Sequence, residues 1–168
     1  MKKHITTLFT AVSLTLSLGA AFAGQSPGHT GGHQQGATTE TESIHADVRK
    51  IKDCRHCGMD REKFSHSRIL VTYVEGKSVG TCSIACLVTE LKASQGKAIK
   101  SIQAGDYNTR KLIDARKAVW VIGGSKRGVM TRTAKWAFAN KAAAEAFIGK
   151  YGGKLANYEE ALRQATAE

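Results

Sequence analysis

Residues 68–94 read RILVTYVEGKSVGTCSIACLVTELKAS, and this stretch predicts a strand, a tight turn, a second strand and a helix. The β-branched and aromatic run at 68–74 is typical of a strand. The Glu-Gly-Lys sequence at 75–77 is typical of a hairpin turn that leads to a return strand at 78–81. A helix over 83–94 follows, because apolar residues recur there at the spacing of one buried helix face. These residues are Ile84, Leu87, Val88 and Leu91.

The same order of elements recurs further along the chain. A strand over 98–102 completes the first ββαβ unit. The second unit has predicted strands at 118–122, 135–138 and 154–156 and a predicted helix at 140–151. A last helix is expected over 157–166, because Asn157 and Glu160 fit a capping box. We therefore expect an α+β fold of two ββαβ half-lobes with mostly antiparallel sheets, plus a C-terminal helix.

The start of the chain differs in composition from the rest. Residues 1–23 have the three parts of a secretion signal, which are a positive start, an apolar run and a small-x-small sequence that places the cut after Ala23. The apolar run is too short for a permanent membrane anchor, and no cysteine lies near the cut to carry a lipid. Residues 24–46 are rich in Gly, Gln and Thr and predict a flexible linker. We expect a soluble periplasmic or secreted protein with no stable membrane anchor.

The remaining residues, 47–168, are expected to form one domain, with lobe one at about 47–105 and lobe two at about 106–168. The 168-residue chain has 25 Lys and Arg against 14 Asp and Glu, for a net charge of +11. This excess invites a nucleic-acid interpretation, but neither a recognition helix nor an aromatic stacking surface accompanies it, and export separates the protein from DNA. We therefore expect no nucleic-acid partner. We interpret the charge as a surface that docks an acidic protein or meets an anionic membrane face.

The stretch best suited to chemistry is DCRHCGM at 53–59, whose side-chain donors are Cys54, His56, Cys57 and Met59. Cys82 and Cys86 follow at the end of the second strand and in the first helical turn. If both are helical, their spacing puts the two sulfurs on one helix face. A CxxC loop followed by a CxxxC pair predicts a four-sulfur pocket. Soft sulfur donors select Cu(I), Zn or iron–sulfur clusters, and the neighbouring methionine favours Cu(I).

Other interpretations fit the same spacing. Cys54–Cys57 and Cys82–Cys86, or cross-pairs among them, could be disulfides in an exported protein. The four cysteines could instead hold a structural zinc ion. The CxxC could be a redox site, although no thioredoxin-like context surrounds it. Met59 could simply fill a gap in the core.

Three isolated residue types also need an interpretation. Met130 follows a polar, glycine-rich stretch in which a core methionine would be out of place, so it is either incidental or a ligand. His66 is expected in a surface loop. Trp120 and Trp136 fall in predicted strands and are expected in the core.

The sequence resembles the NosL family, which comprises exported copper-binding accessory proteins of nitrous oxide reductase. The resemblance rests on CRHCGM at 54–59, on VIGGS at 121–125 with the later Val-Met pair, and on the strand at Phe138 and the helix at 142–147 that precede YGG at 151–153. It covers roughly residues 47–165. It implies paired ββαβ lobes, related to part of organomercurial lyase, and one Cu(I) held by Cys57, Met59 and Met130. The implied role is delivery of copper to a periplasmic copper enzyme, and not catalysis.

Two features depart from the pattern of that family. Typical members are lipoproteins, whereas this chain has a cleavage site at Ala23. The pair Cys82 and Cys86 resembles half of a TRASH-type metal-sensing module, which leaves open a thiolate site made of Cys57, Cys82 and Cys86. We expect a soluble periplasmic Cu(I) metallochaperone that serves nitrous oxide reductase or another copper or multihaem protein. The alternative is a structural zinc or disulfide-stapled binding module without a delivery role.

Overall fold

The structure is a computed structural model that describes residues 45–168, in which there are four helices and seven strands. The predicted secretion signal and residues 24–44 of the predicted linker lie outside the described residues. In chain order the elements are α1 (Ala46–Lys50), β1 (Ile69–Tyr73), β2 (Ser78–Thr81), α2 (Ile84–Ala93), β3 (Ile99–Gly105), β4 (Leu112–Asp114), β5 (Val119–Ile122), β6 (Lys135–Phe138), α3 (Lys141–Tyr151), β7 (Lys154–Ala156) and α4 (Tyr158–Thr166). Helix α1 was not predicted, and it begins at the last residue of the expected linker.

The first sheet has the strand order β2-β1-β3-β4, and every pairing in it is antiparallel. The predicted hairpin is present, because the Tyr73 amide donates to the Lys77 carbonyl over 2.9 Å. Gly76 has a φ of +87°, in the left-handed region that favours glycine. Strand β4 was not predicted. It pairs with β3, so the first sheet extends past residue 105, where we expected the first lobe to end.

The second sheet repeats the first arrangement, with the antiparallel order β6-β5-β7. Both helices of this lobe begin at capping asparagines. The side chain of Asn140 accepts from the Ala143 amide and that of Asn157 from the Glu160 amide, each over 2.9 Å. The predicted α+β fold with two ββαβ units and a C-terminal helix is therefore confirmed. None of the helices among residues 45–168 is long and apolar enough to cross a membrane.

The two sheets share one apolar core. Residues of β1 and α2, such as Val71 and Leu87, belong to the same buried cluster as Trp120 of β5 and Ala161 of α4. A second cluster, under α3, contains Trp136, so both tryptophans are in the core as expected. Because α2 packs on α4, the two lobes support each other through their helices.

A buried ion-pair network fixes the base of the loop that precedes β1. The Asp47 carboxylate of α1 accepts from Arg61 over 2.8 Å and from Arg68 over 2.9 Å, and both arginines are fully buried. Burial alone would raise the pKa of Asp47. The hydrogen bond and charge of Arg68, with the charge of Arg61, outweigh it, so the pKa lies below its usual value. A side chain at Gly80 would collide with Arg61, because its Cβ would lie 2.4 Å from the guanidinium carbon.

Candidate metal centre

The CxxC sequence lies in a tight loop at 53–60, which we call the CxxC loop. Its ends pair as an isolated antiparallel bridge between Asp53 and Asp60. Inside it, the Cys54 amide donates to the Met59 carbonyl over 2.8 Å, and the Gly58 amide donates to the Cys54 carbonyl over 2.9 Å. Gly58 has a φ of +71°, which a residue with a side chain rarely adopts. The motif therefore folds back on itself, and its sulfur atoms face one region.

The second pair of cysteines comes from the corner between β2 and α2. Cys82 follows the last residue of β2, and Ser83 occupies the N-cap position of α2 in an extended conformation. Only Cys86 is helical, so the premise that both cysteines lie on one helix is wrong. The corner still brings their sulfurs to 3.7 Å of each other.

The structure brings all four predicted cysteines together into a thiol cluster of Cys54, Cys57, Cys82 and Cys86. Their sulfur atoms all lie within 4.8 Å of one another. The closest distances are 3.4 Å for Cys57–Cys82 and 3.7 Å for Cys57–Cys86. Three of the thiols are buried, and Cys57 is exposed. All four are free thiols in the structure, since a disulfide would need about 2.05 Å.

These distances fit a thiolate metal site. Sulfurs about 2.3 Å from a tetrahedral metal ion lie roughly 3.8 Å apart, and those of a trigonal site lie about 4 Å apart. Cys57, Cys82 and Cys86 form a triangle with sides of 3.4 to 3.7 Å. The cluster therefore needs little rearrangement to bind a soft cation.

The two predicted methionine ligands lie in different surroundings. Met59 packs against the buried thiols, and its sulfur is 3.9 Å from that of Cys82. Met130 lies in the loop between β5 and β6 with a φ of +56°, and it is 55% exposed. It lines a surface cavity of about 360 Å³ with residues of α2 that include Ala85 and Thr89. Its neighbour Val129 packs against the thiol cluster.

The electrostatics of the cluster favour one ionised thiol. Burial opposes ionisation of Cys54, but backbone amides of His56, Cys57 and Cys82 donate to its sulfur and lower its pKa to about 7. Burial and the hydrogen bonds with the thiols of Cys54 and Cys82 raise the pKa of Cys57 to about 11. The Met59 amide, which donates to the Cys57 sulfur, lowers this pKa but is outweighed. The hydrogen bond with Cys86, together with burial, raises the pKa of Cys82. The remaining protons are those that a bound metal ion would displace.

His56, one of the donors expected from the sequence, is turned towards a carboxylate. Its Nε2 lies 2.7 Å from Oε2 of Glu90, a buried residue one helical turn after Cys86. The other oxygen of Glu90 accepts from the Tyr73 hydroxyl over 2.6 Å. Glu90 thus connects the CxxC loop, β1 and the helix that carries Cys86. Sequence reasoning missed this residue, because a single acid in an amphipathic helix does not reveal its partner 34 residues away.

Comparison with known proteins agrees with this geometry. A sequence model of the NosL family matches residues 45–166, which is most of the chain. The chain belongs to the NosL family. The NosL copper chaperone from Shewanella denitrificans, known from a crystal structure, is 28% identical with a TM-score of 0.51, and the match covers 64% of this chain and 87% of that one. No curated protein matches the chain.

The NosL relationship confirms the family expected from the CxxCGM motif. The Shewanella protein is a copper chaperone, which agrees with the expectation that this chain has no catalytic function. Binding of metal is supported independently by the thiol cluster.

Proposed function

We propose that this NosL protein is a Cu(I)-binding metallochaperone. The observation that carries the proposal is the thiol cluster itself, in which four sulfurs and the adjacent Met59 thioether meet at one partly open site. A site made of sulfur alone suits a cuprous ion. The exposed side of Cys57 gives a partner's ligand access to that ion, as transfer of a metal requires.

For the ligand set, we propose Cys57, Cys82 and Cys86 as the thiolates nearest the ion. On the buried side, either Cys54 or Met59 supplies the fourth ligand. Met130 is a further proposed ligand, supported by its exposed thioether and by the contact of Val129 with the cluster. In that arrangement Met130 would take part where the ion enters or leaves.

A second candidate is a structural zinc site held by the four cysteines. Their mutual approach within 4.8 Å favours it, because tetrahedral Cys₄ is a common zinc geometry. The methionine beside the cluster favours copper, since thioether is a poor ligand for zinc.

We further propose that the protein acts in the periplasm after cleavage near Ala23 and delivers copper to a copper enzyme such as nitrous oxide reductase. The tripartite start of the chain and the NosL relationship support this proposal. Mass spectrometry of protein recovered from the periplasm would show whether the chain begins at Gly24.

The test of metal identity is a competition titration of the fully reduced protein against chromogenic Cu(I) and Zn(II) chelators. We expect one cuprous ion per chain, bound in preference to zinc. Cys82→Ser should weaken Cu(I) binding by about 100-fold or more, whereas Asn108→Ala, at an exposed residue between β3 and β4, should leave it unchanged. Preference for zinc would support the structural alternative. Full affinity in a Met59→Ala, Met130→Ala double variant would contradict the methionine ligands.

A further inference from the structure

A cavity of about 280 Å³ opens beside the metal centre. Its inner wall includes Tyr73 and Glu90, and three basic residues surround its opening. These are Arg55, Lys77 and Lys97. Two of the cavity residues, Arg55 and His56, are the two residues between the cysteines of the CxxC motif. The cavity is therefore continuous with the metal-binding loop.

The three basic side chains are exposed and without acidic partners. None of them forms an ion pair with a carboxylate among residues 45–168. The single acid in the cavity wall, Glu90, is buried, and both of its oxygens are engaged by Tyr73 and His56. The three cations of the cavity thus outnumber its one carboxylate, and the site has an excess of positive charge.

The position of Arg55 is set by the fold. Its amide donates to the Gly80 carbonyl of β2 over 3.0 Å, which holds the CxxC loop against the first sheet. Lys77 comes from the β1–β2 turn, and Lys97 from the connection between α2 and β3. Three separate segments thus bring cations to one concave site, which is a better anion receptor than cations spaced along a flat surface.

We infer that this cationic cavity, bounded by Arg55, Lys77 and Lys97, is the docking site for an acidic side-chain cluster on the protein that exchanges copper with this one. The inference rests on the proposed function, because it supplies the partner of that same metal site. A carboxylate seated between the three cations lies against the residues that adjoin the exposed Cys57. Docking there would direct the partner towards the open thiol and would speed association through long-range attraction.

The test uses the full mature chain and a fluorescein-labelled hexaglutamate peptide as the probe. Binding is measured by fluorescence anisotropy at low ionic strength, with unlabelled hexaglutamate and hexalysine as competitors. We expect saturable binding that salt weakens and that only hexaglutamate displaces. The variant Arg55→Glu, Lys77→Glu, Lys97→Glu should weaken binding by at least about tenfold, and the corresponding triple glutamine variant should fall between it and the parent.

The matched control reverses the same kinds of charge elsewhere, in Lys117→Glu, Arg127→Glu, Lys150→Glu. These residues are exposed and do not line the cavity. The control should stay within about threefold of the parent. Equal weakening in both triple variants would reduce the effect to net charge and overturn the inference, as would full binding by the cavity variant.

Cu(I) affinity is measured on the same proteins to separate the two proposals. We expect it to be unchanged in the control variant and in the double variant Lys77→Glu, Lys97→Glu, which leaves the CxxC loop intact. If the parent bound hexaglutamate through the cavity but failed to bind Cu(I), the proposed function would be wrong. If Cu(I) bound normally and the peptide bound the cavity variant as tightly as the parent, the docking site alone would be wrong.

Discussion

The two ββαβ lobes arrange their three corresponding strands in the same order but differ at the corner where the second strand meets the helix. In the first lobe this corner carries Cys82 and Cys86, and Ser83 at the N-cap makes no side-chain capping bond. In the second lobe Asn140 caps α3 with a 2.9 Å hydrogen bond. The Ala139 amide at that corner is satisfied by the buried carboxylate of Asp106 over 2.9 Å. One corner is arranged for stability, and the other presents sulfur to the CxxC loop.

The two lobes therefore share a backbone geometry, and a few residues at the corner determine what each lobe does with it. A strand–helix corner places successive side chains close together in both lobes. Only in the first lobe does a loop with further sulfur atoms, the CxxC loop, pack against that corner. The second lobe instead fills the space near its helix with the aromatic side chains of Trp136, Phe138 and Phe147.

The largest effect is expected from breaking the base of the first lobe with Asp47→Ala. This change leaves Arg61 and Arg68 buried without their carboxylate, and loss of one partner from a buried ion pair costs about 3–5 kcal/mol. Urea unfolding measures the loss. Asp53→Ala, at an exposed acid close by, should cost less than about 0.5 kcal/mol. A small effect at Asp47 would mean that the first lobe does not depend on this network.

The next effect concerns the support of the thiol cluster by Glu90. Glu90→Gln keeps the shape of the side chain but weakens the charge-assisted contact with His56. Removal of such a supporting contact typically lowers metal affinity by about tenfold or more. The control is Glu145→Gln on the corresponding helix of the second lobe, where Glu145 is exposed and pairs with Lys141. Equal Cu(I) affinities for the two variants would show that Glu90 does not position the CxxC loop.

A smaller effect distinguishes the two helix starts directly. Asn140→Ala removes a real capping bond and should destabilise the protein by about 1 kcal/mol. Ser83→Ala removes a buried hydroxyl that does not cap and lies 3.9 Å from the Cys82 sulfur, so it should cost less than Asn140→Ala. The two unfolding free energies test whether the N-cap side chain at the first corner contributes no capping hydrogen bond. A larger loss at Ser83 than at Asn140 would reverse the comparison.

A pH-dependent effect comes from His66, whose ring packs against those of Trp136 and Tyr107. Burial, together with the charges of Arg110 and Lys126, lowers its pKa to about 4 from 6.5. The unfolded chain therefore takes up a proton before the folded one does, and stability falls as the pH drops from about 6.5 to 4. His66→Phe should show a weaker fall over this window in thermal unfolding. An identical pH profile would contradict the assignment.

Much of the fold could be predicted because its signals are local. The runs that form β1, β6 and β7 are bounded by turn residues, and the helix starts at Asn140 and Asn157 follow from capping chemistry. Strand β4 was missed because three residues without clear alternation give no strand signal. Helix α1 was missed because it has only five residues and follows the Gly- and Thr-rich linker.

The metal centre could be predicted in its donors but not in its surroundings. CxxC and CxxxC spacing identifies the four cysteines, whereas Ser83 takes the N-cap position and keeps Cys82 out of the helix. His66 was expected at the surface. Its ring instead lies 5.5 Å from the Trp136 ring and 5.9 Å from that of Tyr107. These contacts could not be predicted, because both partners lie far along the chain. Contacts of this kind depend on how the lobes pack, which short-range patterns do not encode.

The central claim is that the corner of the first lobe and the CxxC loop together hold Cu(I) through sulfur. X-ray absorption of the reduced, copper-loaded protein tests it most directly. We predict a shell made of sulfur alone at about 2.3 Å, with one sulfur fewer in Cys82→Ser. Nitrogen or oxygen in the shell of the parent, or an unchanged sulfur number in Cys82→Ser, would contradict the account.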